Sequence, residues 1–251
     1  MAAITFNPKA GSKVETPKNE TPTEVTLEVA TTSNQQVAVA TPSFQNESNI
    51  SREDILLPRV NLVQKSGKLC DDFPPGSFLF EKQVVLAKPG DEFVAIVLGH
   101  SKYYQEKVEY GSDEFGRRAN SEEEVRNLGG TTTWGVNDKP YFQPVADLLL
   151  AIKAPENTSE GDLELFPFQY KDEHYAVAVY TVASSAYTSL AKRIFTDSVY
   201  TLKAGLHLGE YHIKSELKKN AANSWYVPVS GMPKKYNDPD KAEFLVGLKN
   251  F

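Results

Sequence analysis

The chain has one cysteine, Cys70, so it has no internal disulfide and no multi-cysteine metal cage. Long apolar runs are missing: the longest, from Val145 to Ile152, is short and broken by Asp147, so no segment reads as a membrane span. The N-terminus lacks the charged-then-apolar pattern of a secretory signal, which points to the cytosol. An excess of positive charge is also missing. With 27 Lys and Arg against 33 Asp and Glu, the net charge is −6. That argues against coating duplex DNA through bulk charge, but it leaves room for a local basic groove.

Catalytic signatures are absent as well. No phosphate loop, paired-glycine dinucleotide fingerprint, nucleophile elbow or two-histidine zinc helix occurs. The four histidines, His100, His174, His207 and His212, read as surface residues, and a Gly209-containing turn separates the closest two. Asp147, Glu164 and Lys171 echo the spacing of metal-dependent nucleases. However, Pro167 interrupts the segment on which the Glu and Lys would have to converge. Cys70 is followed by Asp71-Asp72, an acidic setting unsuited to a thiolate nucleophile. The expectation is a protein that is not an enzyme and needs neither a cofactor nor a metal.

Residues 1–50 differ in kind from the rest, with eight Thr, four Pro, one Gly, and only Phe6 and Phe44 as aromatics. Such a stretch buries too little apolar surface to offset an ordering entropy of roughly 1–2 kcal/mol per residue. It reads as a disordered polar tail, its one alternation being Val25, Leu27 and Val29. A single β-rich domain is expected over 51–251, opening at an N-cap-like Ser51.

Strands are expected over 60–64, 77–87, 92–98, 102–110, 131–134, 144–153, 175–183, 209–217 and 225–229. The Lys88-Pro-Gly-Asp91 turn suggests a hairpin between the second and third of these. Residues 92–98 and 175–183 are apolar on both faces, as central strands are. Residues 111–132 read as an insertion with a helical turn, because Ser121 and Glu124 have capping-box spacing. Helices are expected over about 185–196 and 241–248, the first with Ala186, Tyr187, Leu190, Ala191, Ile194 and Phe195 on one side. The fold class is therefore mainly β with α decoration: an antiparallel OB-like barrel or sandwich with two or three short helices.

Charge is unevenly spread. From residue 192 onward ten basic residues face six acidic ones, giving +4 and leaving −10 for residues 1–191. Aromatic residues are interleaved with the basic ones. Single-stranded nucleic acid needs that combination, because Lys and Arg track phosphates while aromatic faces accept bases of any sequence. The candidate binding residues fall in three groups. The first is Lys102, Tyr103, Tyr104, Lys107, Arg117, Arg118 and Trp134. The second is Lys192 and Arg193 on the 185–196 helix. The third is Tyr211, Lys214, Lys218, Lys219, Trp225 and Tyr226. Against this, tyrosines and tryptophans on half-buried strands commonly pack in a core, and lysines commonly form a solvated face.

The order of features resembles a group of phage-encoded single-stranded-DNA-binding proteins. The resemblance is carried by the opening Leu57-Pro58-Arg59-Val60-Asn61-Leu62-Val63-Gln64 and the Gly-bounded Pro75-Gly76-Ser77-Phe78. It continues with the run Phe93 to Leu98 leading into Lys102-Tyr103-Tyr104, and with Ala176–Thr181 followed by Ser184-Ser185 and Leu190–Ile194. The late Trp225-Tyr226-Val227 completes it.

The resemblance implies an OB-like barrel in the host-cell cytoplasm that protects single-stranded DNA during phage replication or recombination. The partners it implies are replication or recombination proteins, and self-association is expected because short single-strand sites gain from linked copies. The C-terminal residues Gly247 to Phe251 depart from the acidic tail with which many single-strand binders recruit partners. The alternative expectation is a virion-type structural or assembly protein whose aromatic strands pack against partner subunits.

Overall fold

The computed structural model describes residues 55–108, 116–136 and 138–249. The tail expected over 1–50, the opening turn at Ser51 and residues 109–115 of the expected insertion lie outside the described residues.

The chain begins with β1 (Val60–Leu62), α1 (Leu69–Asp72), β2 (Phe78–Phe80) and β3 (Val84–Ala87), followed by the long β4 (Glu92–Glu106). Next come β5 (Arg118–Ala119), α2 (Glu122–Asn127), β6 (Phe142–Lys153), α3 (Glu160–Leu163), β7 (Phe168–Tyr170) and β8 (Glu173–Ala183). A composite helix follows, made of α4 (Ser184–Ala186), a π turn (Tyr187–Ala191) and α5 (Lys192–Tyr200). After a short 3-10 turn (Leu206–Leu208), the chain closes with β9 (Gly209–Lys219), β10 (Ser224–Ser230), β11 (Lys234–Lys235) and α6 (Pro239–Lys249).

All the strand ladders are antiparallel. β1, β2 and β3 form one sheet, and the larger sheet runs β10-β9-β4-β6-β8-β7, with β11 on β9 and β5 on β4. The sheets pack face to face as a sandwich, and the ladder does not close into a barrel. Two seams join them. The Val179 N–H donates to the Pro58 carbonyl at 2.8 Å, beside an Arg59–Val179 bridge. On the other side, the Gln64 carboxamide clamps the free edge of β10, donating to the Tyr226 carbonyl and accepting from the Tyr226 N–H, both at 3.0 Å. The Tyr226 ring lies against Gly76, where a Cβ would sit 2.7 Å from Cε1 and where φ is +97°. Only glycine fits that approach.

Several expected elements are rearranged. The strand expected over 77–87 breaks at Glu81 and Lys82, both with positive φ (50° and 61°), into the β2–β3 hairpin. The hairpin expected around Lys88–Asp91 does not form. That turn, closed by the Asp91 N–H on the Lys88 carbonyl, instead carries the chain from the small sheet to the large one. The strands expected over 92–98 and 102–110 are one continuous β4. Residues 131–134 make a loop with a single bridge, Thr131 to Tyr141, rather than a strand.

The inner faces bury Phe78, Phe80, Phe93, Val97, Leu148, Leu150, Tyr180 and Ile213, covered at one end by Tyr187, Leu190 and Ile194 of the composite helix. Among the described residues, the opposite face of the large sheet is covered at one end, where Phe244, Leu245 and Leu248 of α6 pack on Ile96, Leu98, Ala151 and Val177. α6 is also anchored electrostatically. The Lys241 ammonium, on a side chain only 10% exposed, bonds Glu210 at 2.8 Å and Glu173 at 3.2 Å. Glu173 also accepts from Lys153 and from the Tyr175 hydroxyl, both at 2.6 Å.

Burial alone would raise the Glu173 pKa. The hydrogen bonds from Lys153 and Tyr175, with the Lys241 charge, overcome it and hold the carboxyl down at about 2. A carboxyl depressed on folding stabilises the fold above its unfolded pKa and loses that contribution as pH falls through the folded value. Urea unfolding followed from pH 7 to pH 2 therefore shows stability falling from about pH 5 toward 2. Lys241→Ala, which leaves Glu210 without its ion-pair partner and Glu173 with Lys153 and Tyr175 alone, lowers the midpoint at pH 7 by an amount equivalent to about 1–3 kcal/mol and weakens this acid dependence.

Candidate nucleic-acid interface

β4 determines which side chains reach solvent. At its centre Val97 pairs with Leu150 and Gly99 with Leu149, so Leu98 has no opposite on β6. This β-bulge shifts the alternation by one residue. Beyond it, Ser101, Tyr103 and Gln105 share a face with Leu149, Asp147, Val145 and Gln143, while Lys102, Tyr104 and Glu106 share the other. The first of these faces is the one α6 leaves uncovered past Leu98.

The first group of candidates is thereby divided. Tyr104 is 5% exposed, and its hydroxyl accepts from Lys102 at 2.8 Å and donates to Glu122 at 3.0 Å. Arg117 is spent on Glu106, with Nε to Oε2 at 2.7 Å and a second guanidinium nitrogen to Oε1 at 2.9 Å. These bonds hold the Glu106 carboxyl below the usual range. Tyr104 thus has no open ring for a base, and Arg117 has no uncompensated charge for a phosphate.

Tyr103, Lys107, Arg118 and Trp134 come together on the open side. The Arg118 guanidinium, brought in by the Arg118–Gln105 pairing, lies 3.7 Å from the centre of the Tyr103 ring. Further along, Lys107 lies 4.8 Å from the Trp134 ring centre, and Trp134 meets Tyr141 edge-on at 5.0 Å. The Lys107 N–H bonds the Tyr141 carbonyl at 2.8 Å, which fixes the end of the row. Trp134 is 67% exposed. Its loop is held down at Gly130, where any Cβ would meet the Phe142 ring at 2.4 Å.

Burial, and then the Asp147 carboxylate, push the Tyr103 phenol above its ordinary pKa, while Arg118 and Arg59 pull the other way. Asp147 itself accepts from Thr181 at 2.6 Å. Tyr141 belongs to this surface, although it does not stand out by sequence. The outward parity of Tyr141, one residue before the buried Phe142, was the available signal.

The other candidates are dispersed. Tyr211 is fully buried beside Ile213, which removes it as a stacking residue. The alternation of β9 turns both inward. Trp225 is half-buried and donates its indole N–H to Ser185 at 2.9 Å, and Tyr226 is held by Gln64 and Gly76. Lys214, Lys218 and Lys219 are exposed on β9, with Glu216 at 3.6 Å from Lys214. Lys192 is exposed. Arg193 pairs with the 1%-exposed Asp197 at 2.9 Å, so among the described residues the polar side of the helix presents one cation without an ion-pair partner where two were expected.

Among the described residues, no three His, Cys, Asp or Glu groups stand where they could hold a metal, and no helix is long and apolar enough to cross a membrane. Comparison with protein-family models, curated proteins and solved structures finds no significant match to this chain.

The two tryptophans give a direct check on this arrangement. Iodide quenches the emission of Trp134 strongly and that of Trp225 weakly, so a Trp134→Phe variant loses most of the quenchable fraction while keeping the wild-type melting temperature.

Proposed function

We propose that the chain binds single-stranded nucleic acid without catalysis, and that its ligand is single-stranded DNA handled during phage replication or recombination. The observation that carries this reading is the row along the open side of β4, where Tyr103–Arg118 and Lys107–Trp134–Tyr141 alternate aromatic faces with cations. Each aromatic face accepts a base for about 1–3 kcal/mol whatever its identity, and each cation meets a phosphate. Sequence preference is weak, because stacking on an aromatic face accepts any base.

The net charge of −6 makes the chain as a whole repel a strand, so binding depends on local basic groups such as those of this row. The same reading places the protein in the host-cell cytoplasm with replication or recombination proteins as partners. It also favours self-association, since short single-strand sites gain from linked copies.

Anisotropy of a labelled oligothymidine of about 30 nucleotides, titrated at two salt concentrations with duplex as competitor, tests this. Binding weakens with salt and survives duplex competition. With two phosphates neutralised by Lys107 and Arg118, log K falls against log salt with a slope of about −1.4. Trp134→Ala raises Kd roughly 5- to 100-fold, whereas Tyr226→Phe leaves it unchanged. No binding at low salt and micromolar protein would sink the proposal in favour of a virion-type assembly protein.

A further inference from the structure

One carboxylate stands on the open face beside the cations. Asp147 lies opposite Ser101 on β4 and opposite Thr181 on β8, and Tyr103 pairs with Val145, two residues from Asp147 along β6. Asp147 and Tyr103 are therefore diagonal neighbours on one face, roughly 7–8 Å apart and within reach of an aromatic side chain. After burial, the Asp147 charge is the next cause of the raised Tyr103 pKa. Asp147 is half-buried, and its Oδ1 accepts from the Thr181 hydroxyl at 2.6 Å. Among the described residues its Oδ2 has no hydrogen-bond partner, and no Lys, Arg or His comes within ion-pair distance.

A carboxylate without a cation repels any phosphate brought beside it. The sheet gives it a different role. β6 lies along one edge of β4 and β5 along the other. Arg118 comes from the β5 side and Lys107 from just past the end of β4, whereas Asp147 is on the β6 side. Across the width of the face, a cation thus stands on one flank, the Tyr103 ring in the middle and an anion on the other flank. A strand satisfies all three by placing phosphates toward β5, a base on the ring and the edge of that base toward β6.

In an unpaired strand the Watson–Crick edge of a base is open to a side chain. A carboxylate only accepts hydrogen bonds, and its two oxygens take several between them. Guanine presents two adjacent donors, N1–H and the 2-amino group, which match the two oxygens as a fork. Adenine and cytosine each present one amino group beside a ring nitrogen whose lone pair repels the anion. Thymine presents one N–H between two carbonyls.

Resting on the function proposed above, we infer that Asp147 selects guanine as the base stacked at Tyr103. Thr181 positions the carboxylate and leaves Oδ2 and the second lone pair of Oδ1 to the base. The selection acts at this one position, so the rest of the strand is bound with little regard to sequence.

The test uses labelled oligothymidines of about 12 nucleotides, within the usual site sizes of single-strand binders. They are unsubstituted or carry one central dG, dA or deoxyinosine, and are titrated by anisotropy against the wild type and Asp147→Ala. Deoxyinosine keeps the purine ring and N1–H but lacks the 2-amino group, so it separates hydrogen bonding from stacking. The wild type binds the dG oligonucleotide at least about fivefold tighter than oligothymidine, with dA and deoxyinosine in between. Asp147→Ala, its fold verified by its melting curve, brings all four within about twofold and binds oligothymidine at least as tightly as the wild type. Equal wild-type affinity for the dG oligonucleotide and oligothymidine overturns the inference while leaving the β4 reading intact. Deoxyinosine as tight as dG, or a dG preference kept by Asp147→Ala, also overturns it, because stacking would then set the preference. A wild type that binds none of the four removes the β4 reading and this inference together.

Discussion

One unpaired residue in the longest strand decides what this surface presents. Leu98 has no partner on β6, so the alternation of β4 changes sides at that point. Up to the bulge, Ile96 and Leu98 bury toward α6. Past it, Tyr103 turns to the same side, where no helix among the described residues covers it, and Tyr104 turns to the covered side. An unbroken β4 would send Tyr103 inward and put Lys102, Tyr104 and Glu106 on the open face. The candidate interface is thus set by a backbone irregularity in the middle of the sheet as much as by the identity of its residues.

The charged residues divide by the same principle of neighbourhood. Arg117, Arg193 and Lys241 each have a carboxylate at bonding distance, so their charges are used in holding the structure together. Arg118 and Lys107 lie against aromatic faces instead, at 3.7 and 4.8 Å from the ring centres. A guanidinium over a tyrosine keeps its full charge and most of its donors, so it remains able to meet a phosphate. The sign of a side chain therefore says less about its role than the identity of its nearest neighbour does.

The seams of the sandwich keep this open face in place. Gln64 caps the free edge of β10 with two hydrogen bonds, and Pro58 and Arg59 cover the edge of β8. Both edges are thereby protected against pairing with another chain. The Pro58–Arg59 seam also brings Arg59 close enough to the open face for its charge to act on the Tyr103 phenol. The Leu57–Gln64 segment therefore closes the sandwich along both edges.

Much of the secondary structure was legible from composition and periodicity. The two-faced apolar runs at 92–98 and 175–183 are strands, the first in the middle of the large sheet and the second paired along its length with β6, and the Ser121–Glu124 spacing is an N-capped helix with the Glu124 N–H on Ser121 Oγ at 3.1 Å. The inward turn of Tyr211 was also written in the alternation of its strand, with Ile213 as its neighbour on the same face. Which strands pair, and whether a basic residue is already neutralised, depend on contacts between residues far apart in the chain. Arg118 meets Tyr103, Gln64 meets Tyr226 and Lys241 meets Glu173 and Glu210 only after the sheets form. Local patterning fixes which way a side chain points along an unbroken element. The bulge at Leu98, and the partner that waits on the other side, were decided by tertiary packing, because hydrogen-bond register and charge pairing are properties of two segments at once.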